Sequence, residues 1–254
     1  MDKWITFDLD GTLMQNPFVG HVFPEIEKRI SDQNNQLTQI VQQLVIEHET
    51  RLNAEKYVEA YDWDNIVAHY LEMNDIDTPI NVEEILLGFC TAPAIYLLEE
   101  NILDVLDDLH QKGYLLAVVT NGFKKYQLPV MDVLKLTSHF DMIVTPEEVG
   151  YAKPDKRVFG SIKELGEIVA HVGDRIDHDI LSANAIGVQS IWINRKLPKQ
   201  LQDLPPHERS KDAAIKELVH QKLEKETKKQ FGRIPMEAIP QAVIYSIMEL
   251  SDIL

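Results

Sequence analysis

The sequence predicts an α/β fold: a doubly wound parallel sheet whose chain is interrupted, after the first strand, by a smaller all-helical module. Three observations carry this. A short apolar run at residues 4–7 ends in an acidic turn, Asp8-Leu9-Asp10-Gly11. Residues 16–93 then space their apolar side chains by threes and fours, as a helical region does. From residue 99 onward, apolar runs of strand length alternate with helical stripes, the pattern that builds a parallel sheet through right-handed βα crossovers.

Taken in order, Trp4, Ile5, Thr6 and Phe7 have the character of a buried strand, and Gly11-Thr12 marks where the chain turns out of it. Asp8 and Asp10, two apart on an extended segment, project to the same side. At the carboxyl end of a parallel strand, where open α/β sheets place their ligands, such a pair can hold a divalent cation and do chemistry. A bare pair of this spacing is also common in solvated turns. The full string Phe7-Asp8-Leu9-Asp10-Gly11-Thr12-Leu13 is far more specific.

In the helical region Ile26 and Ile30, then Leu37, Ile40, Val41, Leu44 and Val45, then Val58, Trp63, Ile66, Val67, Tyr70 and Leu71 keep the helical period, and no strand is expected. Ile102, Leu103, Val105, Leu106 and Leu109 form a helix stripe closed by Gly113. Residues 115–119 read as a strand buried on both faces. A short strand at 142–144, a helix at 157–165, a strand at 168–172, a helix at 180–186 and a last core strand at 190–193 follow. Residues 197–235 are charged and contain Pro205-Pro206, with Ile215, Leu218, Val219 and Leu223 on one face of an amphipathic surface helix. The basic cluster at 225–229 reads as a solvated face. Residues 239–250 return a helix or short strand to the main domain. The division expected is a core of residues 1–15 plus 94–254, carrying an insertion at 197–235, and a helical module of residues 16–93.

Composition narrows the function. The 254 residues are 44% hydrophobic, as in a globular protein, and no stretch nears the roughly 20 apolar residues of a membrane span. A formal charge of −16 argues against nucleic acid or an anionic membrane as partner, since both need basic patches. An enzyme this acidic that takes an anionic substrate must recruit a metal or a few placed cations. The single cysteine, Cys90, reads as a small buried hydrophobe. With Met1-Asp2-Lys3-Trp4 leading directly into the first strand, the expected location is the cytoplasm.

Three further clusters fall at or beyond the ends of predicted strands. Thr120-Asn121-Gly122 offers a hydroxyl, an amide and turn backbone as neutral donors for phosphate oxygens, although Asn-Gly is also an ordinary turn. Tyr151-Ala152-Lys153-Pro154-Asp155 precedes a helix and can bring the Lys153 charge into the site. In Gly173-Asp174-Arg175-Ile176-Asp177-His178-Asp179, Asp174 leaves a strand end and Asp179 lies about one turn on, so both can face Asp8 and Asp10. Asp177 and His178 are expected to point elsewhere.

Over residues 3–194 this set resembles the haloacid dehalogenase superfamily of phosphohydrolases, whose four motifs correspond to Asp8-Leu9-Asp10-Gly11-Thr12, Thr120-Asn121, Lys153-Pro154 and Gly173-Asp174 with Asp179. The helical region resembles the family's first type of cap, which closes over the site, and the sheet its Rossmann-like core. His178 stands where the family usually has Asn. The resemblance implies that Asp8 is a nucleophile forming an aspartyl-phosphate and that Asp10 is the general acid and base. It implies Mg²⁺ held by Asp8, the Asp10 carbonyl and Asp174, with Asp179 bound directly or one layer out. Thr120 and the Asn121 amide would bind phosphoryl oxygens, and Lys153 would neutralise charge and orient Asp8.

The dehalogenases of the superfamily lack the second Asp and use no metal, so Asp10 favours phosphate chemistry. Substrate choice is expected to lie in the cap, where Phe18, His21, Phe23, Arg51, Tyr57 and Trp63 are candidates, most of the aromatics being cap core. The expectation is hydrolysis of a small phosphorylated metabolite (sugar phosphate, phosphoglycolate, phosphoserine or nucleotide) by a monomer or homodimer. Alternatives are a phosphomutase using the same residues, or a non-catalytic binding or regulatory protein on this fold. A receiver domain should lack both the helical insert and Asp10.

Overall fold

β1 (Asp2–Phe7) lies at the middle of the sheet because its Trp4, Ile5, Thr6 and Phe7 are all buried, apolar on both faces as a central parallel strand must be. The computed structural model describes residues 1–254. After β1 come β2 (Met14–Gln15), β3 (Tyr96–Leu97), β4 (Leu115–Val119), β5 (Met142–Val144), β6 (Gly166–Gly173), β7 (Gln189–Ile193) and β8 (Ala242–Ile244). Six of them form one parallel sheet in the order β5-β4-β1-β6-β7-β8. The chain builds outward from β1 through β4 to β5, then returns to β6 on the other side. Such a reversal of strand order opens a crevice beyond the carboxyl end of β1, where ligands of doubly wound sheets bind.

Residues 190–193 are therefore not the last core strand. β8 pairs with β7 beyond them, and a short helical turn at Ile247–Asp252 follows, so residues 239–250 return a strand and a turn. Between β2 and β3 the helices Phe23–Gln33, Ile40–Asn53, Tyr57–Ala60, Trp63–Met73 and Val82–Gly88 hold no strand, as the spacing predicts. The unexpected feature is at the ends of the excursion: β2 and β3 pair antiparallel and tie its two roots together. Another element the sequence did not announce is the helix Lys124–Val133, which contains Pro129.

The helical module is packed onto the sheet domain. Phe18 meets Tyr126 edge-on at 5.3 Å, and the Tyr126 hydroxyl accepts the Asp64 N–H at 2.9 Å, so one apolar cluster runs from Ile5 through Phe18 to Ile66. On the far side, the insertion folds as Lys199–Gln202, Pro206–Arg209 and Ala213–Thr227. The last of these buries Ile215, Val219 and Leu223 against Trp192, Ile176 and Val243, each side chain contributing about 1.5–3 kcal/mol. Leu218 is only partly buried, while Lys225, Lys228 and Lys229 are exposed, a solvated face as the composition predicts. Buried Arg209 secures the insertion by donating to the Leu201, Gln202 and Val243 carbonyls and to Glu249. Cys90 is half-buried rather than fully buried; its Sγ contacts the Leu86 carbonyl, and burial pushes the thiol pKa up. No helix is long and apolar enough to cross a membrane.

Candidate active site

β1 delivers Asp8, and the turn after it delivers Asp10. Gly11 makes that turn at φ +83°, and a Cβ there would sit 3.0 Å from the Asp174 carboxyl carbon, so only glycine permits both the backbone conformation and the approach. Asp8 Oδ2 accepts the Thr12 hydroxyl at 3.1 Å, and Asp8 Oδ1 accepts Lys153 Nζ at 2.8 Å. Lys153, 1% exposed, also donates to Asp179 Oδ1 at 2.7 Å. Its backbone is held by the Asn121 side chain, which accepts the Lys153 N–H and donates to the Lys153 carbonyl, both at 2.8 Å. The Asn121 main-chain N–H, by contrast, has no acceptor within the protein.

Thr120 and Asp10 are linked through Gln127, whose Nε2 donates to Asp10 Oδ2 at 2.7 Å and to Thr120 Oγ1 at 3.3 Å. Asp10 Oδ1 is buried without a partner. On the opposite side, Asp179 accepts the Arg175 N–H at Oδ2 and the His171 ring at Oδ1, at 2.9 and 3.3 Å. Burial lowers the His171 pKa and favours the neutral ring. The other ring nitrogen, Nδ1, lies 2.8 Å from the Thr6 hydroxyl, which also reaches the Ala170 carbonyl at 3.1 Å.

Carboxylate oxygens of Asp8, Asp174 and Asp179 lie within 4.8 Å of one another. Burial, with repulsion from Asp179 and Asp174, raises Asp8 to about 7 against the pull of Lys153. Burial and Asp179 raise Asp174 to about 6, and burial with Asp8 brings Asp10 to about 6 against Gln127. Asp179 is lowered, since Lys153 and His171 outweigh its burial. Converging oxygen donors with an excess of negative charge fit a hard divalent cation.

Residues 3–187 match the family model for haloacid dehalogenase-like hydrolases. The chain belongs to that family. The glyceraldehyde 3-phosphate phosphatase of Methanothermobacter thermautotrophicus is 35% identical over 107 residues, 41% of this chain and 47% of that protein. A pyrimidine 5′-nucleotidase of Escherichia coli is 32% identical over 96 residues, covering 36% and 43%. The chain thus spans about half the length of the curated relatives it matches. Across 99% of this chain and 97% of the other, a HAD phosphatase from Thermococcus onnurineus superposes with a TM-score of 0.67 at 21% identity, a likeness of fold.

In this haloacid dehalogenase-like hydrolase all seven sequence-predicted residues, Asp8, Asp10, Thr120, Asn121, Lys153, Asp174 and Asp179, gather at the carboxyl edge of the sheet. Six of them line a cavity of about 330 Å³, with Asp174 behind. Phe18, Phe23 and Trp63 supply its helical wall; of the other candidates, Arg51 pairs with Glu47 and His21 lies against Phe89. His178 does not point elsewhere. It lines the cavity because residues 176–180 form one wide turn, with the Ile180 N–H reaching back to the Arg175 carbonyl. Asp177 does turn away, held by two bonds from Arg175.

Sequence reasoning missed Gln127, His171, His48 and Tyr61, single polar residues inside ordinary apolar patterns. It also missed the reach of the insertion. Lys222 Nζ stands 3.6 Å from Asp174 Oδ2 and 2.9 Å from Glu226, and Glu226 accepts the Ile176 and Asp177 N–H groups at 2.9 and 3.1 Å.

Proposed function

We propose that the chain is a Mg²⁺-dependent phosphomonoesterase that releases an alcohol from a small organic phosphate through an aspartyl-phosphate on Asp8. The observation that carries this reading is the unequal pair: Asp8 is oriented by Lys153 and Thr12, while Asp10 is held apart by Gln127 with one oxygen unpartnered. An Asp8 oxygen attacks phosphorus, and the P–O bond to the alcohol breaks. Asp10 gives its proton to the departing alkoxide, a task for which a pKa near 6 suits a carboxyl group. Asp10 then takes a proton from the water that hydrolyses the aspartyl-phosphate, freeing phosphate and regenerating Asp8.

Thr120, the Asn121 N–H and Lys153 hold the phosphoryl oxygens. Asp8, the Asp10 carbonyl and Asp174 would hold Mg²⁺, which would neutralise charge between the carboxylate and the phosphate dianion. Asp179, already accepting three protein donors, anchors Lys153 and the 174–179 turn. Residues 16–93 act as a cap on a core of 1–15 plus 94–254. The −16 charge and lone cysteine suit a cytoplasmic monomer or homodimer acting on metabolites.

The test is a panel of phosphorylated metabolites assayed for phosphate release with and without Mg²⁺, scored by kcat/KM. Release without a bisphosphate activator separates hydrolysis from a mutase. Absence of Mg²⁺-dependent release across the panel would sink the reading.

A further inference from the structure

The helical wall of the cavity differs in kind from the sheet wall. Trp63 is its centre: His48 stacks on it at 5.1 Å and 25°, and Phe23 meets it edge-on at 4.7 Å. Phe18 lies 5.4 Å from Phe23 and closes the same side. An aromatic wall of this kind suits a flat ring and gives a charged group nothing to bind.

Every cation that lines the cavity already has an acid partner. Lys153 is shared between Asp8 and Asp179, and Arg175 is gripped by Asp177 through bonds of 2.9 and 2.7 Å. His178, whose ring lies 3.6 Å from Asp177, adds a further polar edge to the cavity rather than a cation. His48 contacts the Ala60 carbonyl through Nδ1, and burial lowers its pKa, so its free edge presents a neutral acceptor. The Tyr61 hydroxyl accepts from Asn121 and keeps its own hydrogen to give. On the leaving-group side the site therefore offers neutral donors and acceptors beside an aromatic wall. A second anionic group on the substrate would be desolvated beside three carboxylates with no unpaired cation to meet it.

We propose that the enzyme takes phosphate esters of uncharged alcohols bearing a flat ring, and rejects esters whose alcohol carries a carboxylate or a second phosphate. This rests on the phosphomonoesterase reading and narrows its substrate class. An unpaired polar group in a closed site costs a substrate heavily, so discrimination of at least about tenfold is expected at each step.

The experiment compares kcat/KM, with Mg²⁺, for thymidine 5′-monophosphate, glycerol 3-phosphate, phosphoglycolate and fructose 1,6-bisphosphate. The expected order is the ring ester first, the ringless neutral ester at least about tenfold lower, and both anionic esters lower again. Trp63→Leu is expected to reduce the preference for the thymidine ester over the glycerol ester. Val19, 75% exposed at the cavity lip, provides a variant that leaves the packing alone. Val19→Lys adds the missing cation and should raise the ratio of phosphoglycolate to glycerol 3-phosphate turnover at least about tenfold. A wild-type preference for either anionic ester, or an unchanged ratio in Val19→Lys, overturns the proposal. If no ester is hydrolysed, the phosphatase reading fails separately, and calorimetric binding decides the pocket: thymidine 5′-monophosphate tighter than phosphoglycolate supports the proposal, and the reverse order overturns it.

Discussion

The two walls of one cavity are held by different forces. At the carboxyl ends of β1, β4 and β6 the side chains are locked by charge: Lys153 joins Asp8 to Asp179, Asn121 clamps Lys153, and Gln127 joins Asp10 to Thr120. Across from them, Phe18, Phe23, Trp63 and His48 are held by packing of ring on ring. A change in the first wall strands a buried charge, whereas a change in the second reshapes a surface. The sheet wall should therefore govern turnover and the helical wall selection.

The largest break in that comparison is Asp8→Asn. It keeps the size of the side chain and removes the attacking oxygen anion, so kcat should fall on the order of 10⁴-fold or more while the circular dichroism spectrum stays native. Substantial residual activity would take the nucleophile away from Asp8. Lys153→Met comes next. It leaves Asp8 and Asp179 buried without their common partner, and the loss of about 3 kcal/mol or more should show in chemical denaturation as well as in turnover.

Mg²⁺ affinity should depend on pH through Asp8 and Asp174, raised to about 7 and about 6. Raised carboxyl groups favour the fold when protonated, a contribution present below the unfolded value of 3.8 and lost as pH rises through 6 and 7. A cation reverses this because it binds the ionised form. Above pH 7 no proton has to leave; below it, affinity should drop by about tenfold per pH unit for each proton displaced. The Mg²⁺-induced rise in Tm should be largest at pH 8 and shrink toward pH 5.5. A rise independent of pH would remove these carboxylates from the metal site.

What the sequence could show follows from the same contrast. β1, β4, β6 and β7 are apolar runs long enough to stand out, and each site motif sits directly after a strand or before a helix, so local pattern places all seven residues at one edge. Gln127 reaches Asp10 across 117 positions, and Glu226 reaches Ile176 across 50; nothing local marks either contact. β2, β3 and β8 are two or three residues long, too short for a period of two to register. Pro129 hides the helix that carries Gln127, because a proline inside a helical pattern reads as its end. His178 was misplaced because a wide turn does not keep the spacing of an α-helix.

The smallest effects should come from the insertion, and they sharpen the comparison by extending the charged wall beyond the four motifs. Glu226 holds two N–H groups of the turn between Asp174 and Asp179, and Lys222 lies 3.6 Å from the Asp174 carboxylate. Glu226→Ala frees those N–H groups and loosens the turn, so Mg²⁺ affinity measured by calorimetry should weaken by about tenfold, with Glu226→Gln recovering most of it because the amide oxygen still accepts. Lys222→Met should act in the opposite direction. An ammonium and Mg²⁺ compete for the same carboxylate, so at pH 8, where Asp174 is ionised without help, removing the ammonium should tighten Mg²⁺ by a few-fold, about 1 kcal/mol. If both variants weakened binding equally, the helix would be acting as a prop alone; opposite signs require that its charges act on Asp174 as well as its packing.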